Sequence, residues 1–338
     1  MIQALEGLGS TFAQKAVLVP CTDLSVLTIS RHRTELDNAY WIALPDNDVV
    51  ELLTDKARFY AYAEDRGLPI PRTVLLASRE DAEEAAASLT LPCVIKPPLK
   101  TQLWDQHARD KAYKVRTREE FLAVYDEVGE LATPLLAQEW ISGTEGEHFT
   151  CNCYFDRQAR PLVTFVTRKI RQWPPQTGAG SLAIECRNDV VVEETVRLFA
   201  AVGFWGLAYL EMKRDAKTGK HLIIEPNVGR PTGRSATAEA AGVELLYAMY
   251  CDVLDLPLPE ENLTQPFVGV KWIYFGRDIR SAFYYWRRDE LSVGAWLNSL
   301  RGRKVDAVFS WRDPLPFWFD AWRAVALARR SGSRAARN

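Results

Sequence analysis

The 338-residue sequence has no run of 18 apolar residues, so it holds no candidate for a membrane-spanning helix. It shows no signal peptide either, and cytoplasmic residence is the default expectation. The formal net charge is only −2, which argues against wholesale nucleic-acid binding. Six cysteines stand singly apart from Cys151 and Cys153, and with four histidines in the whole chain nothing completes a zinc site. Buried thiols are the expectation, with Cys151 and Cys153 on one strand facing the same way. No Ser-His-Asp or Cys-His arrangement and no internal repeat is evident.

The remaining composition is that of a globular protein, with 47% hydrophobic and 25% charged residues, and the length suits two or three subdomains. Charge is unevenly spread. Residues 261–338 carry 14 Lys/Arg against 7 Asp/Glu, which leaves 28 against 37 for the first 260, and six of the eleven tryptophans follow Gln265. The segment Trp311–Arg330 suits a surface helix or, more commonly, packing on the main body; Ser331–Asn338 is expected to be disordered.

Periodicity and breakers predict a strand over Lys15–Pro20, a helix over Leu52–Gly67 capped by Thr54, a strand over Arg72–Ala77 and a helix over Arg79–Leu89 capped by Ser78. Leu91–Pro97 is a short apolar strand ending on Lys96. A lysine there either meets an anion or snorkels to solvent. Lys100–Arg109 is expected to be irregular, Lys111–Arg116 a strand, Glu119–Leu131 a helix and Leu135–Ile141 a strand. The turn Ser142–Gly146 then leads to strands His148–Asp156 and Leu162–Lys169. Trp173–Gly180 is expected to be a loop behind Arg168, Lys169 and Arg171, suited to a phosphate or a carboxylate or simply to solvent. Helices over Val190–Gly203 and Ser235–Leu254 and a strand over Phe267–Phe275 complete the pattern.

Between those helices lies Tyr209–Arg234. Alternation puts Tyr209, Glu211 and Lys213 on one side of a first strand, and Ile223, Glu225 and Asn227 on one side of a second. A loop centred on Thr218 pairs Glu211 directly with Glu225 on one face. Two facing carboxylates repel unless a cation joins them, and Mg²⁺ takes oxygen ligands together with substrate phosphates. A solvated hairpin face accounts equally well for the bare spacing.

In order along the chain stand Asp55-Lys56 before a helix, G-L-P-I-P from Gly67, V-I-K-P at Lys96, Q-E-W-I at Glu139, Arg168-Lys169, G-L-A-Y-L-E-M-K at Glu211 and I-I-E-P-N-V-G-R at Glu225. From Asp55 to Asp255 this succession resembles the ATP-grasp superfamily and, within it, the carboxylate-amine ligase-like proteins. The resemblance implies an α/β fold of α+β subdomains, with a shortened Rossmann-like part at 1–75, ATP-grasp subdomains at 76–140 and 141–260, and a basic, Trp-rich extension at 261–338.

It also implies roles. ATP would lie between the subdomains, with Lys96 on adenine N7 or the α-phosphate, the backbone of Glu139, Trp140 and Ile141 on the adenine edge, Glu147 on the ribose and Lys114 on the β-phosphate. Lys213 would join this nucleotide set. Glu211, Glu225 and Asn227 would hold Mg²⁺ (or Mn²⁺). Arg230 or Arg234 would meet the γ-phosphate or an acyl phosphate, with Arg168 and Lys169 in the same catalytic group. The implied reaction forms a C–N (amide) bond from small carboxylate and amine substrates, with ADP and phosphate released; a phosphotransferase or a non-catalytic ATP-binding module uses the same residues. A homodimer is compatible with this. Three departures stand out: a short stretch before Asp55, no glycine between Lys96 and Lys114, and an extra residue before Arg230 relative to E-x-N-x-R.

Overall fold

The computed structural model describes residues 1–99, 101–320 and 322–323. Ser331–Asn338 and the end of Trp311–Arg330 lie outside them. Among the described residues no helix is long and apolar enough to cross a membrane.

The chain begins with a helix, Ile2–Gly9, and two short parallel strands, Ala16–Val17 and Tyr40–Trp41. Between the strands runs the helix Asp23–Arg31, started by a capping box of Thr22 and Ser25. Val26, Ile29, Leu36, Tyr40, Leu44 and Val50 close a small core there. Next come two helices, Asn47–Thr54 and Lys56–Asp65, where one was expected. Asp55 breaks them: its backbone is extended, and its carboxylate accepts from the amides of Ala57 and Arg58, so Asp55 rather than Thr54 is the cap.

A four-stranded antiparallel sheet follows, in the spatial order Thr73–Leu76, Leu135–Glu139, Cys93–Lys96, Tyr113–Val115. Thr73–Leu76 therefore belongs with this sheet rather than with the N-terminal part. The helices Arg79–Ser88 and Arg118–Val128 pack their apolar sides on it around Phe121, Trp104 and Ile95. Ser78 caps the first of them, as expected. The stretch after Lys100 is not irregular: Thr101 caps a helix, Gln102–His107.

The second sheet has seven strands, ordered His221–Val228, Gly206–Arg214, His148–Phe155, Pro161–Trp173, Ala179–Glu185, Lys271–Ile273, Lys304–Asp306. Alternation sorts its side chains. Cys151, Cys153 and Phe155 face a core shared with the helices Lys56–Asp65 and Asp189–Ala201, while Tyr154, Val163 and Phe165 face Ala238, Leu245 and Ala248. Both cysteines of the pair are buried free thiols. The strand after Pro161 runs on to Trp173 and returns as Ala179–Glu185, so the expected loop shrinks to residues 174–178. The expected helix Ser235–Leu254 is two, Ser235–Ala241 and Leu245–Val253, because Gly242 turns the backbone left-handed at φ 94°.

The C-terminal part is built into this sheet. Lys271–Ile273 pairs antiparallel with Ala179–Glu185, and Arg171 makes a bidentate pair with Asp278 at 2.8 Å, with side-chain exposures of 5% and 0%. Trp311, Trp318 and Trp322 do not pack on the body as expected; among the described residues they stay exposed.

Candidate active site

The two sheets and the N-terminal helices enclose a cleft of about 800 Å³, and the hairpin Gly206–Val228 supplies one wall. Its register is the expected one, with Glu211 opposite Glu225 and Tyr209 opposite Asn227. One detail differs. A bulge after Glu211 pairs Met212 with Ile223, so Ile223 turns into the core beside Met212 and Ile224 lines the cleft. The Ile224 carbonyl accepts from the Tyr60 hydroxyl, which fixes the bulge against the helix Lys56–Asp65.

The facing carboxylates are surrounded by cations. Lys56 Nζ lies 3.1 Å from Glu225; Arg234 Nη2 lies 2.8 Å and Lys169 Nζ 3.6 Å from Glu211. Burial pushes both carboxyl pKa values up, but these cations prevail, and the net shift is downward for Glu225 and far downward for Glu211. His148 bonds Glu211 at 2.8 Å through Nε2 and Lys169 at 3.0 Å through Nδ1. Burial, then the Lys169 charge, holds its pKa down at about 4, so the neutral ring donates from Nε2 to the carboxylate and accepts from the lysine at Nδ1.

On the small-sheet side, Lys96 ends its strand over the cleft and donates to Gln138 at 2.9 Å, and Gln138 is held in turn by Thr73 at 2.8 Å. Burial, reinforced by the Lys56 charge, lowers the Lys96 pKa to about 8. Lys213 donates to the Ile141 carbonyl at 2.9 Å, and burial with Lys114 nearby lowers it likewise to about 8. Lys114 stands 3.8 Å from the centre of the Trp140 ring and donates to Gln176 at 3.1 Å, tying the small sheet to the loop at 174–178. Arg230 bonds Asp23 at 2.6 Å and Asn227 at 3.2 Å.

No family model matches the chain. A D-aspartate ligase of Enterococcus faecium is 24% identical over 235 residues, 66% of this chain and 55% of that protein, so the chain spans little more than half of that relative. The biotin carboxylase domain of a Hydrogenobacter thermophilus 2-oxoglutarate carboxylase, solved with MgADP and bicarbonate, superposes with a TM-score of 0.62 at 16% identity, covering 78% of this chain and 59% of that one. An L-amino acid ligase from Bacillus licheniformis gives a TM-score of 0.60 at 16% identity, covering 80% of this chain and 64% of that one. The chain has the ATP-grasp fold of these neighbours.

The ATP-grasp cleft brings together Lys96, Glu139, Trp140, Ile141, Lys169, Lys213, Glu211, Glu225, Asn227, Arg230 and Arg234. It does not bring in Arg168 or Glu147. Neighbours on a strand face opposite ways, so with Lys169 turned inward Arg168 is exposed on the far face. Glu147 faces Arg214, 3.5 Å away. Two further details bear on the expected nucleotide contacts. The Trp140 amide, expected at an adenine edge, donates to the Pro92 carbonyl at 2.9 Å, and the Glu139 amide donates to Arg72 at 3.0 Å. Their donors are used, while the Ile141 carbonyl is held by Lys213. Lys114 is not on the cleft wall itself but braces Trp140, which is.

Sequence reasoning missed Lys56 and His148 as site residues. Lys56 had a signal in the Asp55-Lys56 motif; His148 had only its place at the start of a strand. Among the described residues no three His, Cys, Asp or Glu side chains gather as a metal site. Glu211, Glu225 and Asn227 differ from such a cluster in supplying two carboxylates and an amide. All three bring oxygen atoms to one face, the Asn227 Oδ1 also accepting from Arg230 at 3.2 Å. That donor set fits a hard cation.

Proposed function

We propose that the chain is an ATP-dependent ligase that joins a carboxylate to an amine through an acyl phosphate, releasing ADP and phosphate. The observation that carries this reading is the directly paired Glu211 and Glu225 in a cleft lined by Lys56, Lys96, Lys169, Lys213, Arg230 and Arg234. The cleft lining carries eight Lys/Arg against the four carboxylates of Asp23, Glu139, Glu211 and Glu225, and the surplus suits a triphosphate.

In this reading Lys96 and Lys213, with Trp140 between the sheets, hold the nucleotide. Glu211, Glu225 and Asn227 hold Mg²⁺, which when bound neutralises phosphate charge. Lys169, kept in place by the neutral His148, and Arg234 stabilise the charge on the transferring phosphoryl group. The acid's carboxylate oxygen attacks the γ-phosphorus and ADP leaves. The amine nitrogen then attacks the acyl carbon, loses a proton, and phosphate leaves. Positioning and charge dominate such transfer, so the lack of a side-chain nucleophile is in keeping.

The test is ADP release by the full chain with MgATP and paired acids and amines. The expected result is release that requires Mg²⁺, an acid and an amine together. Release that ignores the amine and leaves a phosphorylated acid makes the chain a phosphotransferase, and nucleotide binding without turnover makes it a binding module; either result overturns the ligase reading.

A further inference from the structure

The helix Phe275–Trp286 buries Asp278, Ser281 and Ala282 and leaves its most apolar side uncovered. Phe275, Ile279, Phe283 and Trp286 are 36–54% exposed, and at about 3.6 residues per turn they fall within about a quarter turn of one another. Arg280 and Arg287 come next around the helix, on the edge farther from the buried side. The Arg287 guanidinium lies 5.9 Å from the centre of the Phe283 ring.

The uncovered side continues into the segment that follows. Phe275 lines a groove with Phe309, Trp311 and Phe317, and Lys304 and Arg312 stand at the same groove. The Tyr274 hydroxyl holds this segment through Asp320 at 2.8 Å. Leu315, Trp318, Phe319 and Trp322 are 63–74% exposed, and Trp311 is 91% exposed. Their rings meet one another, Phe309 and Trp311 at 4.8 Å, Phe319 and Trp322 at 5.9 Å. Apolar side chains exposed singly need no explanation, but a set of this size marks a binding surface.

Charge says what the surface binds. Among the described residues from 271 to 323 the exposed charged side chains are eight Lys/Arg against Asp289, Glu290 and Asp313. A symmetric pair of this chain would set that basic surface against itself, and like charges oppose such a contact. A protein partner needs pockets shaped to side chains that stand as far out as Trp311, whereas a fluid bilayer closes around them. Indole rings suit the headgroup level of a bilayer, and arginine stems lie along its apolar boundary while their heads reach lipid phosphates.

We propose that this surface docks the protein on an anionic lipid bilayer. The inference stands apart from the ligase reading. It is tested on the full chain with vesicles of phosphatidylcholine alone or with about one-third phosphatidylglycerol, by co-sedimentation and tryptophan emission. The expected result is binding to the anionic vesicles that salt weakens and that is at least about tenfold tighter than to phosphatidylcholine alone. Emission should shift to the blue and be quenched by lipids brominated in their acyl chains. Arg280→Gln together with Arg287→Gln should weaken binding on the order of 30-fold, at roughly fivefold for each arginine near an anionic surface. Trp311→Ser together with Trp318→Ser should weaken it at least about tenfold and reduce the quenching. All four side chains are exposed, so the thermal midpoints should match the parent; should a variant unfold, the blue shift and quenching of the parent chain still decide. No vesicle binding, equal binding to both vesicles, binding without blue shift or quenching, or folded variants that bind as the parent does each overturn the inference. So does a dimer in light scattering that Trp311→Ser disperses, or retention of a nucleic-acid oligomer, where vesicles are ignored: the surface then belongs to a second copy or to nucleic acid.

Discussion

Lys56 Nζ lies 3.1 Å from Glu225 Oε2, so the helix after Asp55 supplies the counter-charge to one member of the facing pair while Arg234, from beyond the hairpin, supplies it to the other. Each carboxylate is neutralised from a different part of the chain, and the hairpin alone would hold two unopposed charges.

The first prediction follows from that arrangement. Lys56→Met should destabilise the metal-free protein by about 1–2 kcal/mol, since the pair is only partly exposed and its loss strands a carboxylate against Glu211. Millimolar Mg²⁺ should then raise the thermal midpoint more in the variant than in the parent. An equal response in the two proteins would speak against a cation between these carboxylates.

Glu225→Gln should leave the fold intact, because it relieves repulsion from Glu211 as it breaks the Lys56 pair. Turnover should fall by at least about 10²-fold, as for loss of one preorganised electrostatic partner. The check is kcat beside the chemical-denaturation midpoint; unchanged turnover, or unfolding, contradicts the assignment.

Nucleotide affinity should depend on pH through Lys96. Its pKa in the free protein is held down at about 8 by burial, and a bound phosphate must raise it. Below pH 8 the lysine is already charged and binding takes up no proton. As the pH rises through 8, binding must add one, so affinity declines. Calorimetry in two buffers of different ionisation enthalpy should find proton uptake above pH 8 and none near pH 6.5, and Lys96→Met should reduce the uptake to the share supplied by Lys213, whose pKa is likewise lowered to about 8.

Gly229→Ala tests how the N-terminal part is locked to the hairpin. Gly229 has φ 73°, and a Cβ there would lie 2.4 Å from Leu44 Cδ2 and 2.8 Å from Val26 Cγ1. Strain plus overpacking should cost about 1–3 kcal/mol. Gly219→Ala, with a similar φ of 72° and only the flexible Arg214 guanidinium in contact at 3.9 Å, should cost about 1 kcal/mol or less. Equal denaturant midpoints for the two variants would show that the contact with the N-terminal helix carries no strain.

Local signals were legible where one residue decides. Ser78 opens its helix, Lys96 ends its strand, and the turn around Thr218 sets Glu211 against Glu225. The bulge that sends Ile223 inward was not legible, because it depends on the Tyr60 hydroxyl from a distant helix. The commitment of the Trp140 amide was hidden for the same kind of reason: the Pro92 carbonyl that takes it is brought there by sheet pairing. Lys56 and His148 meet Glu225 and Glu211 only through tertiary folding. Arg168 is different, since strand alternation alone says that it and Lys169 cannot both face the cleft.

The strand Lys271–Ile273 has a consequence for how the chain can be cut. Without it Ala179–Glu185 would present an open row of backbone donors and acceptors, a template for pairing with other chains. Arg171 would remain as a buried cation stripped of Asp278. A truncation after the second helix of residues 235–253 would therefore yield an aggregating fragment, not a smaller folded protein: the basic, tryptophan-rich end is the selvedge of the sheet, woven in so that the fabric does not fray.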